Sequence, residues 1–176
     1  MVEIDWLMAI QECHNPVRDF MFLKITALGD KGILWIMLGI ILLCTKKYRK
    51  QGFLLLLCLL ASVLVGNLLL KNLIQRDRPC WLYPEIKLLL ENPRDYSFPS
   101  AHSMSSFAGA TALWLTNKRF GMVAYVVAAL IAFSRLYLFV HWPSDVLVGS
   151  AVGIVIGVLV FQIAERLKNG KGAVKT

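Results

Sequence analysis

Five apolar runs, at residues 31–45, 52–74, 101–117, 120–139 and 144–166, are bounded by charge or by Gly and Pro and take up most of the 176-residue chain. A helix needs about 20 such residues to cross a bilayer. Hydrophobic residues make up 57% of the sequence, where soluble domains hold roughly 45–50%. The runs therefore predict an all-α, polytopic membrane bundle of five to six transmembrane helices. The first run is short, and upstream of it residues 3–12 and 16–28 mix acids, bases and apolar residues at helical spacing, the pattern of amphipathic helices lying in the interface. For 16–28 the sequence leaves three options open: lying flat, joining the first span, or forming a sixth. The expected organisation is one membrane-embedded domain over 1–176, with interfacial helices in 1–30, a transmembrane core in 31–166 and a cytoplasmic tail in 167–176. The amino terminus, MVEIDWLMAI, lacks the basic stretch and small-residue site of a removable signal peptide.

Net charge is +8. In a soluble protein that balance would suggest nucleic acid, but here the bases flank apolar segments, so membrane topology explains them and no nucleic-acid partner is expected. Cytoplasmic loops are enriched in Lys and Arg. In a five-span arrangement one side carries Lys46, Lys47, Arg49 and Lys50, then Lys118 and Arg119, then Arg166, Lys168, Lys171 and Lys175, against the single acid Glu165. That side is assigned to the cytoplasm, which puts the amino terminus and the 75–100 loop outside a cell membrane. Four cysteines, at 13, 44, 58 and 80, show no zinc-binding spacing. Cys44 and Cys58 read as packing residues, and a Cys13–Cys80 bridge is left open.

Polar groups at membrane depth are costly, and those that persist there usually have functional partners. Three clusters stand at span ends that share the outer side: Lys71 to Arg78-Pro79, Phe98-Pro99-Ser100-Ala101-His102-Ser103, and Ser134-Arg135 with His141 to Asp145. Lys71, Arg78 and Arg135 supply three cations, and guanidinium forks match tetrahedral oxyanions. Ser100 suits the N-cap of the third span, aiming free amides at the same anion. Pro143 suits the first position of the fifth helix. Asp145 then falls in its first turn and His141 just before it, so the carboxylate can orient one imidazole nitrogen and leave the other free to attack. The expected chemistry is phosphoryl transfer. His141, made more basic by Asp145, attacks phosphorus, and His102 protonates the departing oxygen. Lys71, Arg78, Arg135, Ser100 and nearby amides bear the charge. These fixed cations fill the role of a metal, so neither a metal nor another cofactor is expected.

Lys, six residues, Arg-Pro; Pro-Ser-X-His; Ser-Arg, five residues, His, three residues, Asp: in this order the motifs resemble the type 2 phosphatidic acid phosphatase superfamily, related to vanadium haloperoxidases and glucose-6-phosphatase. The resemblance runs from about residue 60 to 150. It implies the roles given above, with His141, His102 and Asp145 catalytic and Lys71, Arg78, Ser100, Ala101, Ser134 and Arg135 around the phosphate. Ala101 stands where the commonest pattern has Gly, so the turn there must be helical and the pocket is narrower by a methyl group.

Singly, each cluster has a plain structural explanation: Lys71, Arg76 and Arg78 snorkelling from a helix end, Pro-Ser-X-His capping a helix, His141 and Asp145 sharing a structural hydrogen bond. Their common side and order favour a site. The implied function is hydrolysis of a lipid phosphate or diphosphate through a phosphohistidine. Undecaprenyl diphosphate is the first choice of substrate, beside phosphatidylglycerol phosphate, phosphatidic acid and diacylglycerol diphosphate. The alternatives are vanadate-dependent halide oxidation, disfavoured by the apolar spans, and non-catalytic lipid-phosphate binding or transport, disfavoured by the two histidines. Gly149, Gly153 and Gly157 form a small-residue stripe expected to pack closely, facing Ala124, Ala128 and Ala132.

Overall fold

The computed structural model describes residues 2–173 and contains helices but no strand among them. Helix α1 (Val2–Gln11) precedes α2 (Pro16–Gly29), whose start is fixed by Pro16 in its first turn and by the Asn15 side chain accepting from Arg18 N. A tight turn at Asp30–Gly32, with Lys31 and Gly32 in left-handed backbone, leads straight into α3 (Ile33–Cys44). Residues Pro16–Cys44 thus form one kinked apolar stretch of 29 residues, long enough to cross a bilayer. Of the three options open for 16–28, this continuity matches the one in which it joins the first span.

After the basic link, α4 (Arg49–Ser62) continues through a π-helical segment, Val63–Leu70, into α5 (Lys71–Ile74). The wider winding, in which Lys71 N bonds Gly66 O, advances each residue through a smaller angle than an α-helix and so resets the face on which Lys71 emerges. Gln75 in left-handed backbone ends α5, and Pro79 opens the short α6 (Pro79–Leu82). A long loop then leads to α7 (Ala101–Thr116), α8 (Lys118–Tyr137) and α9 (Pro143–Ala173). The sequence's tail from 167 begins as the last turns of α9, and Lys175 lies outside the described residues.

Four stretches, Pro16–Cys44, Lys46–Leu82, Lys118–Tyr137 and Pro143–Asn169, have the length and composition to cross a membrane. The expected third span, α7, is only 16 residues, about 24 Å, against a hydrocarbon thickness of about 30 Å. It is the bundle's centre, packed by α4, α8 and α9, and its run from Ala108 to Leu113 is buried. One core joins Trp35, Leu55, Leu59, Ala110, Leu113, Ala128 and Ile131; another joins Leu54, Cys58, Met104, Ala112 and Ile156. Apolar side chains such as Met37, Ile41, Val126 and Leu159 face outward, as a surface bathed in lipid requires. This is a multi-pass membrane protein.

The glycine stripe of α9 faces α7 rather than the alanines of α8. A Cβ on Gly153 would stand 2.3 Å from Met104 O, so only glycine permits this approach. Ala124 and Ala128 instead pack into the core that α7 shares with α3 and α4. The four cysteines are free, so Cys13 and Cys80 do not pair.

Candidate active site

The starts of α7 and α9 and the ends of α5 and α8 meet at one end of the bundle, and they bring the three predicted clusters together. Ser100 caps α7, its hydroxyl accepting from Ser103 Oγ at 3.0 Å, while Ser100 N donates to Asp145 O at 3.1 Å and so ties the two helix starts together. A cavity of about 550 Å³ is lined by Lys71, Arg78, Ala101, His102, Arg135 and His141 at its polar end. Ile36, Leu56, Leu59, Leu60 and Val63 give it an aliphatic wall, with Ser62, Asn67 and Ser105 among them.

The cations are buried. Arg78 donates to Asp95 O at 2.7 Å, to Asp95 Oδ1 at 2.8 Å and to Val140 O at 2.6 Å, and its Nη1 lies 3.2 Å from His141 Nε2. Lys71 pairs with the other oxygen of Asp95. Arg135 donates to Thr26 Oγ1, and its buried Nε has no hydrogen-bond partner among the described residues. Burial opposes ionisation of Asp95, but the Lys71 hydrogen bond and charge, joined by Arg78, hold its carboxyl down at about 2. An internal carboxylate therefore occupies two arms of the cradle.

His141 is 1% exposed. Burial first, then the charges of Arg78, Arg135 and Lys71, push its imidazole well below the usual histidine range. Burial and these cations, rather than Asp145, set the direction of the shift. Asp145 Oδ2 lies 3.6 Å from His141 Nδ1, beyond a good hydrogen bond, and the carboxylate has other partners. It accepts from Trp142 N at 2.9 Å, from Arg76 at 2.7 Å and from the hydroxyl of Ser97. Ser97 Oγ also lies 3.3 Å from His141 Nδ1. The one hydroxyl proton points at the carboxylate, so the oxygen accepts from Nδ1. Arginine only donates, so Arg78 faces a lone pair on Nε2. Both neighbours thus specify a neutral ring with its proton on Nδ1 and a lone pair on Nε2.

Three predicted residues stand apart from the cavity: Asp145, fully buried behind His141, and two serines. The Ser134 hydroxyl donates to Ile131 O at 2.6 Å, back into its own helix, and the buried Ser100 serves as a cap; neither lines the cavity. Conversely, nothing in the sequence marks Ser97, Asp95 or Asp30, and Arg76 reads there only as a snorkelling end. Asp95 and Ser97 sit in an irregular loop with no periodicity to mark them. Arg76 sits two residues before Arg78 and joins Asp145 to Glu3 Oε2, at 2.7 and 2.6 Å.

A kinked, polytopic helical bundle with a cationic pocket and two imidazoles at one end defines a class of membrane protein built around a small anion. Residues 51–169 match the PAP2 superfamily, and the chain belongs to it. The undecaprenyl-diphosphatase of Sulfolobus acidocaldarius is 34% identical over 130 residues, 73% of this chain and 63% of that protein. The undecaprenyl-diphosphatase BcrC of Bacillus subtilis is 28% identical over 155 residues, 88% of this chain and 79% of that one. The chain spans only 51% of a third relative, the decaprenylphosphoryl-5-phosphoribose phosphatase of Mycobacterium tuberculosis. The crystal structure of Aquifex aeolicus LpxE superposes with a TM-score of 0.80 at 27% identity, covering 92% of this chain and 96% of that one. A PAP2-type phosphatidylglycerolphosphate phosphatase from Bacillus subtilis gives 0.74 at 28%, covering 91% and 83%.

Proposed function

We propose that this protein hydrolyses a lipid phosphate or diphosphate through a phosphohistidine on His141. The observation that carries the reading is one cavity that holds Lys71, Arg78, Arg135 and both histidines and also has an aliphatic part of its wall, where Ile36, Leu60 and Val63 are exposed. A phosphate head fits the first part and an acyl or prenyl tail the second.

His141 Nε2 attacks phosphorus in line while His102 protonates the departing oxygen. Lys71, Arg78 and Arg135 then hold the equatorial oxygens, with the Ala101 amide at the start of α7 beside them. Asp145 and Ser97 fix the ring of His141. To bind, the phosphate must displace the Asp95 carboxylate from Lys71 and Arg78, an exchange of one anion for another that leaves no buried cation unpaired.

A carrier-lipid diphosphate such as undecaprenyl diphosphate is the first choice of substrate, supported by the names of the Sulfolobus and Bacillus relatives. The basic links Lys46–Lys50 and Lys118–Arg119 lie at the end of the bundle away from the cavity, which supports a site facing outside and a carboxyl terminus in the cytoplasm. Phosphate release from undecaprenyl diphosphate, phosphatidylglycerol phosphate and phosphatidic acid by detergent-solubilised protein tests the reading. Turnover that His141→Ala abolishes supports it. Near-normal turnover by that variant, or none by the wild type, overturns it.

A further inference from the structure

His102 is held from the kink in the first span. Its Nε2 lies 2.9 Å from Asp30 Oδ1. The ring also lies against Gly29, where a Cβ would stand 2.7 Å from His102 Cδ2. The left-handed backbone at Lys31 and Gly32 turns the chain immediately after Asp30, so the carboxylate sits at the corner facing the start of α7. A carboxylate on Nε2 leaves Nδ1 without a hydrogen-bond partner among the described residues, and His102 lines the cavity.

Two observations thus converge on one ring: a close seat against Gly29, where a Cβ would crowd it, and a hydrogen bond to one nitrogen. The charge around the ring gives the arrangement a chemical purpose. Lys71 and Arg135 line the same cavity, so an imidazolium at 102 stands among like charges and needs a counter-anion of its own.

We propose that Asp30 is the positioning residue of the acid–base step: it holds Nε2–H of His102, stabilises the imidazolium and directs Nδ1–H at the leaving oxygen. The proposal rests on the phosphatase reading above. In the first half-reaction the His141 Nε2–phosphorus bond forms and the phosphorus–oxygen bond breaks. Its electron pair stays on the leaving oxygen, which takes the proton from His102 Nδ1, and Asp30 stays ionised. In the second half the oxygen of water bonds phosphorus, its proton passes to Nδ1, and the phosphorus–nitrogen bond breaks with its electrons returning to His141.

The test compares kcat/KM, which reports events through loss of the first leaving group. A lipid monophosphate has a strongly basic alkoxide to expel and needs the proton; p-nitrophenyl phosphate expels a stabilised phenolate and does not. The expected result is that Asp30→Asn lowers kcat/KM about 10²-fold on the lipid monophosphate but less than about threefold on the aryl ester. Asp30→Glu recovers most of the loss, and Asp30→Asn adds nothing to His102→Ala. Equal losses on both esters, no loss on either, additivity with His102→Ala, or a D30N protein that does not fold would each assign Asp30 to structure and overturn the proposal. A wild type that cleaves neither ester overturns the functional reading and this inference with it, whereas normal wild-type turnover with an unselective D30N overturns this inference alone.

Discussion

The Asp145 carboxylate and Nδ1 of His141 stand 3.6 Å apart, and the hydroxyl of Ser97 bridges them. The link that orients the His141 ring therefore runs through a third residue. Ser97→Ala leaves a buried Nδ1–H without its acceptor, a loss of about 1–3 kcal/mol, and is expected to lower kcat/KM about 10- to 100-fold. Asp145→Asn in the S97A background is expected to cost much less than alone, because both act through one ring. Phosphate-release kinetics on the two single variants and the double variant check this, and full additivity would count against the bridge.

Arg76 makes a second testable link. Asp145 is fully buried, and Arg76, about one-third exposed, is its counter-ion. Arg76 also holds Glu3, which accepts from Ser144 N at 2.8 Å and so pins α1 to the start of α9. Removing one partner of a buried pair costs about 3–5 kcal/mol, and partial exposure places Arg76→Ala at the low end. The expected outcome is a lower melting temperature and lost turnover in R76A, and a smaller effect in Glu3→Gln. Burial works against ionisation of Glu3, but its bonds to Ser144 and Arg76 keep its carboxyl below the usual range. Its contribution is therefore present above the ordinary carboxylate range and disappears as pH falls through the depressed value. Thermal unfolding in detergent across that range checks the pair.

The contrast between Arg76 and Arg78 explains what the sequence could and could not reveal. Apolar runs, basic links and three motifs follow from local rules, because a span needs length and an oxyanion needs cations. They sufficed for an all-helical membrane bundle and for gathering Lys71, Arg78, Arg135, His102 and His141. The partners that organise these residues come from elsewhere in the chain. Asp30 lies 72 residues from His102, Ser97 lies 44 from His141, and Glu3 lies 73 from Arg76. Each is a common polar residue in a turn, a loop or a short helix, where nothing local distinguishes a partner from a solvated side chain. That α7 is the bundle's buried centre is not legible for a related reason: hydropathy cannot separate a helix wrapped in lipid from one wrapped in protein.

Asp95 yields a prediction of opposite sign. It engages both Lys71 and Arg78 while 58% of its side chain remains exposed, so it competes with any incoming anion from a position that can swing away. Asp95→Ala frees both cations and is expected to strengthen inhibition by orthovanadate, a tetrahedral anion of phosphate's shape, by about tenfold, equivalent to about 1.4 kcal/mol. Because the carboxyl is held at about 2, the wild-type competition should be constant between about pH 6 and 7.5, where Asp95 stays ionised and dilute vanadate keeps one form. Vanadate inhibition curves at several pH values test both statements, and unchanged inhibition in D95A would mean the carboxylate does not compete.

The depressed basicity of His141 has a thermodynamic consequence that does not depend on any substrate. In the unfolded chain this imidazole takes up a proton near its ordinary value of about 6.5; in the folded protein, burial and three neighbouring cations delay that uptake to well below it. Between the two values the unfolded state binds more protons than the folded one, so stability rises with pH and falls as pH drops. The contribution is complete above about pH 6.5 and is lost on descending toward the folded value. His141→Asn fills a similar volume without a titrating group, so its melting temperature should fall less steeply than that of the wild type from about pH 6.5 downward, while the two curves run parallel above. Other histidines and the carboxylates titrate in both proteins, and the difference between the curves isolates position 141. Parallel curves across the whole range would mean that His141 charges inside the folded protein, and Arg78 could not then sit 3.2 Å from a lone pair on its Nε2.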